Sequence, residues 1–131
     1  MTDTMTRKEA LEALLETLRS GGTPEAHEIK AAFGQLCEDV AIVSFFRWAC
    51  DPNDMRAEGA AKALHEAVLP GISQYSIITD PTCLKVTVCW WPDGLSGGRQ
   101  FYGEAWGHPG QEARTWLIAI LKALIAQETE T

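Results

Sequence analysis

The sequence predicts an α+β fold: a three-stranded antiparallel sheet packed by helices in the order helix, meander, helix, with an N-terminal helical extension. Three observations predict it. Apolar residues recur at a helical period before Pro70, at a period of two from Ile72 to Trp106, and at a helical period again from Ala113 to Leu124. Runs of helices flanking a run of strands separate the two element types along the chain, which is the α+β pattern.

From Arg7 to Leu18, Ala10, Leu11, Leu14, Leu15 and Leu18 form one stripe with Glu9, Glu12 and Glu16 between them. Ser20-Gly21-Gly22 ends this helix. Thr23-Pro24-Glu25-Ala26 then reads as an N-cap with proline at the first helical position of a second helix, which buries Ala26, Ile29, Ala32 and Phe33. The apolar run Val40 to Trp48 fits a helix or a buried strand; with no turn signal after Gly34 until Asp51, helix is the better reading. Asp51-Pro52-Asn53-Asp54 is a turn and cap cluster. Ala57, Ala60, Ala61, Leu64 and Val68 mark the next helical stripe, ended by Pro70-Gly71.

Ile72 to Thr79 reads as the first strand, and Asp80-Pro81 breaks it. Leu84, Val86, Val88 and Trp90 alternate with Lys85, Thr87 and Cys89, as a half-buried strand requires. Pro92 to Gly98 is a hairpin loop, and Arg99 to Trp106 returns as the third strand. Gly107-His108-Pro109 is expected to start the last helix, whose core face is Ala113, Trp116, Leu117, Ile120 and Leu124; Gln127 to Thr131 should be a frayed tail.

With 131 residues, 46% of them apolar and 22% charged, the chain is expected to be one domain with a packed core: residues 1–50 helical, 51–126 the α-β-β-β-α part, 127–131 the tail. Residues 1–6 lack the pattern of a signal peptide, and no run reaches the roughly 18 apolar residues of a membrane span. Retention in the cytoplasm, away from membranes, is the expectation. Cys37, Cys50, Cys83 and Cys89 show no two-residue gap of a zinc knuckle or redox motif, so free buried thiols are expected, with no metal and no cofactor. A net charge of −7 disfavours duplex nucleic acid, which is held by Lys and Arg on phosphates.

No catalytic set emerges from the titratable residues. His65 and Glu66 are neighbours on a helix and point about 100° apart, so a partly exposed helical histidine is the reading. His108 follows Glu104 by four residues, and a strand-end carboxylate could meet an imidazole there; a helix-entry role is the simpler account. Ser44, Ser73, Ser76 and Ser96 lack the surroundings of a nucleophile elbow. The glycines before Arg99 sit in a hairpin with no helix behind them, so they form no phosphate cradle. Asp51, Asp54 and Glu58 form an acidic face that could meet a partner, although capping and solvation explain them as well.

The aromatic residues say more. Trp90 and Trp91 are adjacent on a strand and must point to opposite faces. Trp91, Tyr102 and Trp106 can therefore share the second face, which the N-terminal helices are expected to cover. On the last helix, Ile118, Leu121 and Ile125 form a further apolar stripe beside the core face, to be covered by the N-terminal helices or by another chain.

Three stretches carry a family resemblance: Ala60 to Gly71 (AAKALHEAVLPG), Tyr102-Gly103-Glu104-Ala105, and Ala113 to Ile125 (ARTWLIAILKALI). Over residues 56–126 the chain resembles the phage ABA sandwich domain, a family of phage and prophage proteins of uncharacterised activity. The resemblance implies a helix–sheet–helix fold and a phage origin within a bacterial host cell; it implies no catalytic or ligand residue. The resulting expectation is a small, non-enzymatic protein-binding module, for example an inhibitor of a host defence complex of the CRISPR type. The alternative is a homo-oligomeric structural or assembly accessory of a phage particle, and a third is an enzyme with an unrecognised carboxylate site or a Glu104–His108 site.

Overall fold

The computed structural model describes residues 5–34 and 41–130. Among these lie five helices and one sheet: α1 (Arg7–Arg19), α2 (Ala26–Phe33), α3 (Ile42–Cys50), α4 (Ala57–Val68), β1 (Ile72–Thr79), β2 (Leu84–Trp91), β3 (Phe101–Gly107) and α5 (Glu112–Glu130), with one 3₁₀ turn at Leu95–Gly97. The predicted α+β class is the observed one, and the ambiguous run is helical from Ile42; Val40 lies outside the described residues.

Capping fixes the helix starts. The Thr6 hydroxyl accepts from the Glu9 N–H at 3.1 Å while Glu9 Oε1 accepts from the Thr6 N–H at 3.0 Å, satisfying two donors that a helix start leaves free. The second helix starts later than its Thr23-Pro24 signal suggests. Its cap is Glu25, whose N–H donates to Glu28 Oε1 at 2.8 Å, so the reciprocal carboxylate displaces the threonine from the capping position. In the turn before α4, Asp51 Oδ1 accepts from the Asn53 N–H and Asp54 Oδ1 from the Arg56 N–H.

The strands form an antiparallel meander in the order β1-β2-β3. Their registers run unbroken, Ile72↔Trp91 to Thr79↔Leu84 and Leu84↔Gly107 to Trp90↔Phe101. Facing residues share a side of the sheet, so Leu84, Val86, Val88 and Trp90 lie beside Phe101, Gly103 and Ala105 against the helices. All are buried, and the Trp90 indole N–H donates to the Pro70 carbonyl at 2.7 Å, fixing the exit of α4 to the sheet.

The closing helix α5 lies on this inner face and touches β2, β3, α1, α3 and α4. It crosses β3 at Gly103, where a Cβ would run into the backbone of Ala119 and Ala123; only glycine lets the two backbones come this close. Two expectations for this helix fail. It starts at Glu112, because Gly107 stays in β3 and Pro109-Gly110 make a turn, with Gly110 at φ +95°. It also runs on to Glu130 with no frayed tail from Gln127: Glu128 binds Arg7 at 3.1 Å, and Glu130 lies 3.8 Å from Arg99.

The second stripe of α5 is internal. Leu121 has no exposed surface, and Ile118 and Ile125 pack half-buried against a core to which α1 contributes Leu11, Leu14 and Leu18.

Candidate functional site

The closing helix α5 covers the inner face and gathers the other helices around it, and the opposite face of the sheet carries no helical cover among the described residues. The expectation that the N-terminal helices close it is wrong, because α5 is apolar on several sides and draws α1 and α3 to itself.

The registers arrange that open face in rows across the strands. Ile72 stands beside Trp91; Gln74 beside Cys89 and Tyr102; Ser76 beside Thr87 and Glu104; Ile78 beside Lys85 and Trp106. Tyr102 is 48% exposed and Trp106 61%, while Trp91 is half-buried. The three aromatic residues singled out from the sequence thus share one surface. Ile72 and Ile78 join them, and sequence reasoning missed both. Their signal lay in the odd difference in position between them and the inward Ser73, Tyr75 and Ile77, which needs the β1–β2 register to be read.

Glu104 organises the middle of this face. Its Oε1 accepts from the Tyr102 hydroxyl at 2.7 Å and lies 3.2 Å from Lys85 Nζ, while its Oε2 accepts from the Trp106 indole N–H at 3.2 Å. Lys85 Nζ also sits 5.3 Å from the centre of the Trp106 ring. The Tyr102 hydrogen bond, aided by those from Lys85 and Trp106, holds the Glu104 carboxyl below its usual range; the same bond raises the Tyr102 phenol. Both aromatic side chains are thereby tied to a neutral Lys–Glu pair, and the face has an apolar and aromatic character without net charge.

Other candidates come apart. Glu104's partners do not include His108, which is exposed on the turn before α5. Asp54 is bound twice by its neighbour Arg56, at 2.9 and 3.0 Å, which keeps its carboxyl below the usual range; Asp51 and Glu58 stay exposed. Leu121 is fully buried, and Ile118 and Ile125 are half-buried against the core, so this stripe forms no open apolar face. Of the cysteines, Cys50 is buried and its thiol pushed up to about 11 by that burial, but Cys83 and Cys89 are only half-buried, since both fall on the open side or its hairpin end; Cys37 lies outside the described residues.

His65 is also not where the sequence suggests. It is buried between Tyr75 and Trp116, with Nε2 2.9 Å from the Ser73 hydroxyl. A serine beside a histidine invites a nucleophilic reading. The other ring nitrogen decides against it: the Trp116 indole N–H donates to Nδ1 at 3.2 Å, so in the neutral ring the proton is on Nε2 and points at Ser73. A base for Ser73 would need the opposite tautomer. Burial lowers the His65 pKa and keeps the ring neutral. Among the described residues no three His, Cys, Asp or Glu side chains are grouped to hold a metal ion, and no helix is long and apolar enough to cross a membrane.

No family model matches the chain, and neither the curated proteins nor the solved structures provide a match.

Proposed function

We propose that this chain is a non-enzymatic protein-binding module of phage origin, acting inside the bacterial host cell as an inhibitor of a host defence complex, and that the open sheet face is its recognition surface. The observation that carries the reading is the uncovered aromatic face itself. Folding has enough apolar surface to bury on the helix side, yet Tyr102, Trp106, Ile72 and Ile78 stand in water on the other. Aromatic side chains on a rigid strand supply contact area at low entropic cost, and a Glu104 hub holds two of them in place before a partner arrives.

The aromatic face is preferred to the acidic one because Asp54 is already spent on Arg56. Open sheets with aromatic residues also stack the bases of single-stranded nucleic acid. Here the one cation among the outward residues of β2 and β3, Lys85, is engaged by Glu104, and the chain carries −7 overall, so a protein partner is favoured. Phage origin and an anti-defence role rest on the sequence resemblance over residues 56–126 and on small size and acidic balance.

The test is phage plaquing on a host with active CRISPR-type interference, with the protein supplied from a plasmid. Wild type should restore plaquing, and Tyr102→Ala with Trp106→Ala should abolish that effect while leaving the melting temperature unchanged. Full protection by the double variant would remove the open face from the function, and no effect of wild type on any such host would remove the anti-defence role.

A further inference from the structure

A second surface lies at the margin of the sheet, along the edge that borders its open face. β1 is an edge strand, and its sequence Ile-Ser-Gln-Tyr-Ser-Ile-Ile-Thr contains no charged residue and no proline. Its pairing with β2 is unbroken from Ile72 to Thr79, so no bulge turns the edge away. Edge strands are ordinarily blunted by one of these devices, because unpaired N–H and C=O groups recruit another strand. The opposite edge differs: β3 packs along α5 and carries the charged Glu104.

The peptide groups of β1 that find no strand partner among the described residues can be assigned. The Asp80 N–H donates to the Cys83 carbonyl at 3.0 Å, and antiparallel alternation from that bond leaves the N–H and C=O groups of Ser73, Tyr75, Ile77 and Thr79 on the open edge.

We propose that a second copy of this chain adds its β1 here, antiparallel, about a two-fold axis at Tyr75, forming one sheet continuous across both copies. The argument for a second copy is register. An antiparallel neighbour must keep the two faces of the sheet in line, so only every second register is allowed. Centred on Tyr75, the allowed register sets Ile72 opposite Ile78 of the second copy, and Ile78 opposite its Ile72. Both lie on the open face, where they are 40% and 61% exposed. Between them Gln74 stands opposite Ser76, so apolar meets apolar and polar meets polar, as a self-complementary strand requires. Moving the axis to Ser76 would oppose Gln74 to Ile78 and lose both apolar pairs. Tyr75, on the axis, is anchored from behind by Trp116, its ring centre 4.2 Å away, and by His65 at 5.3 Å.

The experiment is sedimentation velocity over a wide range of protein concentration, on wild type and two double variants at exposed positions, each checked for an unchanged circular dichroism spectrum. Wild type should dimerise. Ile72→Lys with Ile78→Lys puts like charges opposite each other twice and should weaken the dimer about a hundred-fold. Ile72→Lys with Ile78→Glu sets each lysine against a glutamate of the second copy and should restore it. A monomeric wild type at all concentrations overturns the proposal. So does a dimer that survives the double lysine variant, or one that the charge-paired variant fails to restore, because either outcome means that association does not use this register. Trp106→Ala leaves the edge intact and should still dimerise, which keeps this result separate from the fate of the open-face reading.

Discussion

Arg114, in the first turns of α5, donates from Nη1 to the carbonyl of Cys50 at 3.0 Å, tying the closing helix to the last residue of α3. Its Nη2 donates to the Leu18 carbonyl at 2.9 Å and to that of Gly22, at and just beyond the end of α1. Helix ends leave such carbonyls without intrahelical partners and carry partial negative charge. One planar guanidinium therefore serves two helix termini distant in sequence.

Arg114→Ala should lower stability by about 2–4 kcal/mol, because charged hydrogen bonds are lost and the Cys50 and Gly22 carbonyls lose their donor, while that of Leu18 keeps the Gly21 N–H. Arg114→Lys should recover only part, since a point ammonium cannot fork between two helix ends. Urea unfolding measures both; a loss below about 1 kcal/mol for the alanine variant would mean that water replaces the arginine without penalty.

Gly103→Ala should be among the most damaging small substitutions in the chain. The added methyl meets helix backbone, which cannot rotate aside, so α5 must lift from β3. A cost of about 3 kcal/mol or more is expected, against less than about 1 kcal/mol for Tyr102→Ala next to it, which faces water. Equal melting temperatures for the two variants would contradict the close helix–sheet approach.

His65 gives the fold a defined acid response. Its folded pKa lies below the ordinary value of 6.5, so below pH 6.5 the unfolded chain binds a proton that the folded one resists. Stability from this group is complete above pH 6.5 and falls as the pH drops towards the lowered value, opposed weakly by the nearby Glu66 carboxylate. The melting temperature should fall between about pH 7 and pH 5, and His65→Gln should flatten that slope while being less stable at neutral pH. A slope identical in both proteins would assign the effect elsewhere.

Asp80 acts in the opposite sense. Its Oδ1 accepts from the Thr82 N–H and hydroxyl and the Cys83 N–H, and these bonds bring its pKa from 3.8 down to about 2. The bonds favour the fold above about pH 4, and their contribution disappears as the pH falls towards 2. Asp80→Ala should accordingly melt earlier than wild type at neutral pH and converge with it in acid. A gap that persists at low pH would show that the side chain's charge is irrelevant to the β1–β2 turn.

What the sequence disclosed follows from which interactions are periodic. The stripes of α1 and α4 and the alternation of β2 are repeated patterns, and each predicted the buried face correctly. The pattern also required a cover for Ile118, Leu121 and Ile125 but could not name it. Coverage depends on where α1 goes, and the same wealth of apolar surface on α5 that gathers the helices leaves Tyr102 and Trp106 bare. Single contacts between distant residues leave no periodic trace: nothing in the spacing around Arg114 or Gly103 marks their contacts, and His65 read as partly exposed. For His65 a hint existed, since it sits one residue after Leu64 and three before Val68, on the edge of the buried stripe.

The sheet's two sides thus answer to different demands. Inner positions such as Val88, Gly103 and Ala105 are constrained by a tightly packed helix layer, whereas Gln74, Thr87, Tyr102 and Trp106 could be exchanged with little effect on whether the chain folds. A protein arranged this way can alter what it recognises through outward substitutions alone, without first acquiring stability elsewhere to tolerate them. Under the proposed role, that separation would let the contact surface change while the scaffold stays fixed.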